Sequence, residues 1–382
     1  MKIALIHDHL AQDGGAEQVL RVFARMYPDA PIYTLMYEPG NVEKHFRGRR
    51  IETSIIQRLP GGVKHYQWYM PFMPMAVEFF DLGEFDIVLS DASAFAKGVI
   101  TGTDTLHICY CHTPTRYLWD YTHTYIQELR YNKYLKKVIS LMLNYIRLWD
   151  RQAAERVDFF IANSKTVRKR IAKYYRRDST VIYPPVDIDN FRVADAPGSY
   201  FLIGGRLAPY KRVDIVVEAF KANGLPLKVF GSGVDLERLR KIAAGAVNIE
   251  FLGRVDDRKK AELYYGCRAF INPQDEDFGI TVVEAMASGR PVIAYRRGGT
   301  TETMIEGRTG IFFEEQTAAC LNEAVKAFSE LTFDAGEIRR RAELFSTARF
   351  EKEISETVRR EYARFKGEAD ENTEPAHHEH TD

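Results

Sequence analysis

The strongest constraint on the fold of this chain is a rhythm. Short apolar runs alternate with segments of amphipathic helical spacing from one end to the other. One series of candidate strands covers residues 3–7, 32–35, 85–90, 106–110, 159–163 and 180–183. After Pro184-Pro185, the polar stretch 187–199 reads as a linker. A second series follows at 200–204, 227–231, 249–253, 269–272, 291–295 and 310–313, with helical patterns such as 211–222 and 236–244 between its members. Parallel neighbours need a crossover long enough to hold a helix, so strands spaced in this way build βαβ units. Two such series predict an α/β protein of two Rossmann-like domains, residues 1–190 and 191–349, facing across a cleft. Residues 338–365 are charged and helical, with Phe345, Phe350, Ile354, Val358 and Tyr362 spaced for one face; the part 350–366 is expected to pack back on the first domain. The last stretch, 367–382, holds too little apolar surface to bury and reads as a disordered tail.

Composition fits this division: 382 residues, 45% of them hydrophobic, can bury two cores. Lys+Arg and Asp+Glu both number 53, so global charge gives no argument for a nucleic-acid partner. The balance is uneven, because residues 116–178 carry 15 basic against 6 acidic side chains. A basic flank of this kind suits an anionic surface. The pair Cys109 and Cys111 leaves a single residue between its members, where zinc pairs leave two to four, and no second pair follows. These two, with Cys267 and Cys320, read as reduced thiols. MKIALIHDHL is too short in its apolar run for a signal peptide, and no stretch approaches a membrane span. A cytoplasmic protein is expected.

In open α/β sheets, ligands sit beyond the carboxyl ends of the strands, and the chemistry-bearing residues follow strands here. After the first strand come Asp8, His9 and then Gly14-Gly15-Ala16-Glu17. Two glycines at a helix start admit a phosphate or a sugar to backbone N–H groups, although a plain turn has the same signature. After residues 200–204 comes GGRLAPYK, where Arg206 and Lys211 straddle Pro209. A pyrophosphate would use the fork of one and the point charge of the other; solvated surface charge is the plainer alternative. No GxxxxGK[ST] loop is present. After residues 269–272 comes DEDFGITVVEAMASG, with Glu276 ahead of a helix start and Glu284 inside the helix. Backbone N–H groups of Phe278, Gly279 and Ile280 would meet an anion or hydroxyls at that positive helix end. The two carboxylates would hold different parts of one long ligand, such as a sugar and a ribose.

The arrangement EDFGITVVEAMASG, with GGRLAPYK upstream and GRPVIAYRRGGTTE downstream, resembles the retaining glycosyltransferases of family 4, of GT-B fold. GGAEQVL, YCHTPTRYLWD, FFIANSKTVRKRI, VIYPPVD and FLGRV join the match, which runs from residue 1 to about 365. The resemblance implies that the first domain binds an acceptor and the second a nucleotide sugar. Arg206 and Lys211 would hold the donor pyrophosphate and stabilise the departing nucleoside diphosphate. Glu284 would take the ribose hydroxyls, and Glu276 with Phe278, Gly279 and Ile280 the donor sugar. Gly14 and Gly15 would lie beside the phosphates from the opposite domain, Arg254 and Val255 beside the base, and His112 at the reacting sugar. A turn-capping histidine is the alternative for His112, and Asp8 and His9 are weaker candidates for the cleft wall.

The implied reaction moves a hexosyl group to an acceptor hydroxyl with retention, without a metal or other cofactor. The resemblance is closest to bacterial mannosyltransferases of O-antigen and exopolysaccharide assembly, which implies GDP-mannose as donor and a saccharide or lipid-linked saccharide as acceptor. A UDP-sugar (glucosyl or N-acetylglucosaminyl) donor, a GT-B sugar-nucleotide epimerase and a non-catalytic nucleotide-sugar-binding protein remain as alternatives. The basic segment 116–178 interleaves with Tyr125, Tyr131, Tyr134, Leu135, Ile139, Met142, Ile146 and Trp149, and residues 65–80, HYQWYMPFMPMAVEFF, are rich in aromatics and methionine. Contact with an anionic inner-membrane surface is therefore expected, although Leu135, Val138, Met142, Ile146 and Trp149 would equally serve as the core face of a helix.

Overall fold

A computed structural model describes residues 1–367 apart from 13, 130, 194, 195 and 197; the tail 368–382 and Arg130 of the basic segment lie outside the described residues. Two parallel sheets make up the fold. The first holds β1 (Ile3–His7), β2 (Ile32–Thr34), β3 (Ile51–Thr53), β4 (Ile87–Ala92), β5 (Leu106–Cys111), β6 (Phe159–Ala162) and β7 (Thr180–Val181) in the order 3-2-1-4-5-6-7. The second holds β8 (Tyr200–Arg206), β9 (Leu227–Ser232), β10 (Ile249–Gly253), β11 (Cys267–Asn272), β12 (Val292–Tyr295) and β13 (Gly310–Phe313) in the order 10-9-8-11-12-13. Strand order reverses between β1 and β4 and again between β8 and β11, so each sheet has one switch point where the flanking loops diverge and leave a crevice.

The apolar runs are continuous because helices cover both faces of each sheet. In β1 every residue is buried: Ala4 and Ile6 face one core with Val88 and Cys109, while Ile3 and Leu5 face another with Ile87 and Ile108. β3 was not among the expected strands. It is a half-buried edge strand whose sequence, Ile51-Glu52-Thr53, carries no apolar run. Cys109, Cys111 and Cys267 are buried free thiols.

The C-terminal segment departs from the single helical face expected for it. It forms two helices, Ala335–Glu343 and Thr347–Phe365, and the Ser346 hydroxyl caps the second by accepting from the Arg349 N–H. Phe345 falls in the break and packs on Phe278 of the second domain and on Tyr183 at the end of the first, with ring centroids at 5.5 and 5.3 Å. Phe350, Ile354 and Val358 turn the other way, into the core of the first domain beside Phe23 and Tyr110. The chain thus crosses back beside the point where it first left: the Val186 N–H donates to the Phe345 carbonyl (2.9 Å), and the Thr347 N–H to the Val186 carbonyl (3.2 Å).

The long basic helix is Lys133–Glu155, capped by the Asn132 side chain, which accepts from the Tyr134 and Leu135 N–H groups. Its buried face is Leu143, Ile146, Trp149, Asp150, Ala153 and Ala154. Leu135 and Val138, read from the sequence as possible core, are exposed.

Candidate active site

The loops after β1 and β5 and the helix after β6 meet the segments after β8, β11 and β12 across the crevice between the sheets. On the first-domain side the helix Gly15–Met26 starts at Gly14, whose N–H donates to the Glu17 carboxylate (2.9 Å). Gly15 faces the opposite domain so closely that a Cβ there would lie 3.0 Å from Ile280 Cδ1. The pair reads as a close approach across the cleft, which is what a side chain at 15 would block.

His112 follows β5. Its ring Nε2 lies 2.5 Å from Asp91 Oδ1, and the ring meets Tyr110 edge-on at 5.3 Å. The second Asp91 oxygen holds His7 Nδ1 at 2.9 Å, and His7 Nε2 lies 3.8 Å from Glu17. Burial pushes the His7 ring down, but hydrogen bonds and charge from Asp91 and Glu17 outweigh it and raise the ring to about 10. Burial pushes the Asp91 and Glu17 carboxyls up, and the neighbouring histidines bring both below their ordinary range. Asp8 is buried and lines no cleft: its two oxygens accept from the N–H groups of Ser93, Ala94, Phe95 and Ala96 and from the Ser93 hydroxyl. His9 lies beside Tyr66, with ring centroids 5.8 Å apart.

On the second-domain side Arg206 ends β8 and donates across the cleft to the Gln12 side chain. The turn Pro209–Lys211 aims Lys211 at Glu276, and the two form an ion pair. Burial pushes the ammonium of Lys211 down, yet the Glu276 charge holds it above its ordinary value. The DEDFG loop is fixed from behind by Gly298-Gly299: the Gly299 N–H donates to the Glu276 carbonyl (2.7 Å), and a Cβ at Gly298 (φ +67°) would fall 2.1 Å from that oxygen. Phe278 is buried, Gly279 turns left-handed at φ +92°, and Ile280 opens the helix Ile280–Ala287. The first N–H groups of that helix have no partner within it, and the Ile280 side chain at its start faces Gly15.

Glu284 stands apart from this group. It is buried, and its carboxylate is held by Lys260 Nζ (2.8 Å) and the Tyr264 hydroxyl (3.1 Å) of the helix Asp257–Gly266. Arg254 and Val255 follow edge strand β10, with Arg254 exposed and Val255 packed on the second core. The structure therefore brings Arg206, Lys211, Glu276 and the Phe278–Ile280 turn to one switch point facing Gly14-Gly15, with His112 above the other switch point. Arg254 and Val255 lie along the same rim.

Several residues that lie within the quoted motifs but had no role assigned tie the two walls together. Arg170 bonds Asp120 (2.7 Å) in its own domain and pairs with Asp277 of the DEDFG loop. Arg116 donates to the Asp275 carbonyl (3.1 Å). Glu302 caps the helix Lys165–Arg170 from the opposite domain, accepting from the N–H groups of Lys165 (2.7 Å) and Thr166 (2.8 Å). The three acids of DEDFG thus divide: Glu276 serves Lys211, Asp277 serves Arg170, and Asp275 lends its carbonyl to Arg116. The capping role of Glu17 has a local signal, since a glutamate three residues after a helix N-cap is the usual partner of the cap N–H; the pairings of Arg116, Arg170 and Glu302 have none.

Comparison with known proteins agrees with the two-domain fold. Residues 13–190 match the model described as Glycosyltransferase Family 4, and residues 188–344 the model for glycosyl transferases group 1. The chain is similar to a D-rhamnosyltransferase, WbpZ, of Pseudomonas aeruginosa (28% identity over 56% of this chain and 59% of that one). It is also similar to a GDP-mannose-dependent alpha-mannosyltransferase of Mycolicibacterium smegmatis (31% identity over 45% of this chain and 48% of that one). The chain spans about half the length of the curated relatives it matches. Among solved structures, Anabaena Alr3699/HepE in complex with UDP superposes with a TM-score of 0.69 at 18% identity, covering 94% of this chain and 100% of that one.

Proposed function

From the premise that this chain belongs to the glycosyltransferases, a family 4 domain joined to a group 1 domain in a GT-B fold, we propose that it transfers a hexosyl group from a nucleotide sugar to a saccharide hydroxyl with retention of configuration. The observation that carries this reading is the convergence of Arg206, Lys211 and Glu276 at the switch point opposite Gly14-Gly15. In the proposed reaction the bond from the sugar C1 to the β-phosphate oxygen breaks, and the acceptor oxygen bonds C1 on the same face. The departing phosphate takes the acceptor proton. Lys211 and Arg206 stabilise the charge that develops on the diphosphate; Lys211 is the half-buried one of the two, and a fixed cation out of bulk water acts most strongly. Glu276 accepts from donor sugar hydroxyls, Glu284 reaches the ribose with its remaining lone pairs, and the backbone at Arg254 and Val255 meets the base.

GDP-mannose is the proposed donor, supported by the similarity to an enzyme named for that donor. The likeness to structures holding UDP or UDP-glucose keeps a UDP-sugar as the second reading. A panel of nucleotide sugars, read by thermal shift and by product with a lipid-linked saccharide acceptor, tests both. GDP-mannose is expected to give the largest shift and transferred mannose, with activity retained in EDTA. Transfer from UDP-glucose alone would replace the donor. Epimerised or unchanged sugar would replace the reaction, and loss in EDTA with recovery in manganese would end the metal-free mechanism.

We further propose an anionic membrane surface as the place of work. No helix among the described residues is long and apolar enough to cross a membrane. The outward face of Lys133–Glu155 is nonetheless apolar: Tyr134, Val138, Leu141, Tyr145 and Leu148, spaced three and four apart, are all exposed. Lys133, Lys136, Lys137, Arg147 and Arg151 lie on this helix, and its one exposed acid is the final Glu155. Trp68, Phe72, Met75 and Phe79 are exposed on the neighbouring segment, which packs on the same core and meets His9 through Tyr66. Each surface lysine or arginine contributes about 1 kcal/mol against anionic lipid. Co-sedimentation is expected with anionic vesicles and to weaken in salt; no binding to either neutral or anionic vesicles would overturn membrane contact.

A further inference from the structure

We propose that Asp91 is a positioning residue for transfer, one buried carboxylate that sets the ring of His112 with one oxygen and, through His7 and Glu17, the Gly14-Gly15 turn with the other. The inference rests on the reading of His112 beside the reacting sugar and Gly14-Gly15 beside the diphosphate.

Asp91 lies on β4, the strand between β1 and β5, in register with His7 on one side and Tyr110 on the other. That place at the switch point lets one side chain touch groups from both neighbouring strands. Its Oδ2 accepts from His7 Nδ1 at 2.9 Å, and its Oδ1 accepts from His112 Nε2 at 2.5 Å. From His7 the line continues through Nε2 to Glu17 Oε1 at 3.8 Å, and from Glu17 Oε2 to the Gly14 N–H at 2.9 Å. His7, Asp91 and Glu17 are buried, and only His112, 13% exposed, reaches solvent. The line therefore ends in a cleft-facing ring on one side and a ligand-facing turn on the other.

Charge makes the line directional. His7, held above its ordinary range, donates from Nδ1 to Asp91 and faces Glu17 at ion-pair distance through Nε2, while Asp91 and Glu17, held below theirs, only accept. The ring nitrogen of His112 that meets Asp91 must then carry a hydrogen, and Nδ1 is left for the ligand. The second oxygen is spent on the one ring that leaves the core.

Asparagine at position 91 keeps the size but has one acceptor. If its oxygen serves the charged His7, its amide donates to His112 Nε2 and forces the opposite tautomer. The test is steady-state kinetics on Asp91→Asn, His112→Ala, their double variant and Glu17→Gln in the full chain, with GDP and UDP affinity by calorimetry and the fold checked by circular dichroism. Asp91→Asn is expected to lower kcat about 100-fold with donor KM within about 3-fold. In the His112→Ala background it should cost less than about 3-fold more, because the partner is already gone. Glu17→Gln is expected to show the reverse split, nucleoside diphosphate affinity falling about 10-fold with most of kcat kept. If Asp91→Asn costs as much without His112 as with it, the residue acts through stability and the proposal falls. Should Asp91→Asn fail to fold, Glu17→Gln still decides: unchanged affinity for both nucleotides breaks the link to the glycine turn. A His112→Ala variant with near wild-type kcat would instead overturn the reading of His112 itself.

Discussion

Replacing Lys211 with alanine is expected to lower turnover at saturating donor by about 10²–10³-fold, the range seen when one preorganised charge-stabilising donor is removed from a site. The ion pair adds a reason specific to this chain. Lys211 is paired with Glu276, so in the proposed site its loss would remove a cation from the diphosphate and leave a half-buried carboxylate without its partner. Glu276→Ala should fall in the same range by losing the donor sugar's acceptor. The double variant should cost far less than the product of the single losses, because the two residues act as a pair. Product formation with the preferred nucleotide sugar, alongside unchanged thermal stability, is the measurement. Turnover within about 3-fold of wild type for either single variant would remove these residues from the chemistry.

The second large effect is on stability. Lys97→Met is expected to destabilise the first domain by about 3–5 kcal/mol, the cost of leaving a buried charge without its partner. Lys97 and Asp150 are each 1% exposed, and the ammonium lies 2.5 Å from the Asp150 carboxylate. Thr115 (3.1 Å), Trp119 Nε1 (2.8 Å) and the Tyr175 hydroxyl (2.9 Å) also donate to Asp150, but none of them brings a positive charge. Burial pushes the Lys97 ammonium down, and Asp150 more than reverses it. Because Asp150 sits in the long basic helix and Thr115 and Trp119 in the stretch after His112, the pair anchors that helix to the loop that follows β5. Urea unfolding followed by circular dichroism reads the loss. Lys97→Met with Asp150→Leu should recover much of it, since replacing both partners leaves no orphaned charge; a single-variant loss under about 1 kcal/mol would deny the pair its role.

Local sequence carried the strands well wherever the strand was wholly buried. Twelve of the thirteen strands in the two sheets coincide with apolar runs read in advance, and the exception, β3, is an edge strand with a polar residue at its centre. The faces of helices were less legible. In Lys133–Glu155 apolar residues surround the helix, so periodicity could not say which stripe is core; packing chose Leu143, Ile146 and Trp149 and left Val138 and Leu141 outside. Phe345 shows the same limit at a boundary, since its spacing continues the helical face that Ser346 interrupts.

By itself, then, the sequence determined that this chain builds two parallel sheets, and that its glycines, basic pair and glutamates follow strands. Burial on both faces of a sheet demands uninterrupted apolar runs, and a run is a property of neighbours along the chain. Tertiary structure alone decided which charges meet. His7 and Asp91 are 84 residues apart, Lys211 and Glu276 65, and Arg170 and Asp277 107. Their pairing depends on strand order at the two switch points and on the approach of the domains, which no local spacing encodes. The reason is physical: a buried charge has to find a partner wherever the backbone places one, and the backbone's placement is settled by the apolar core rather than by the charges themselves.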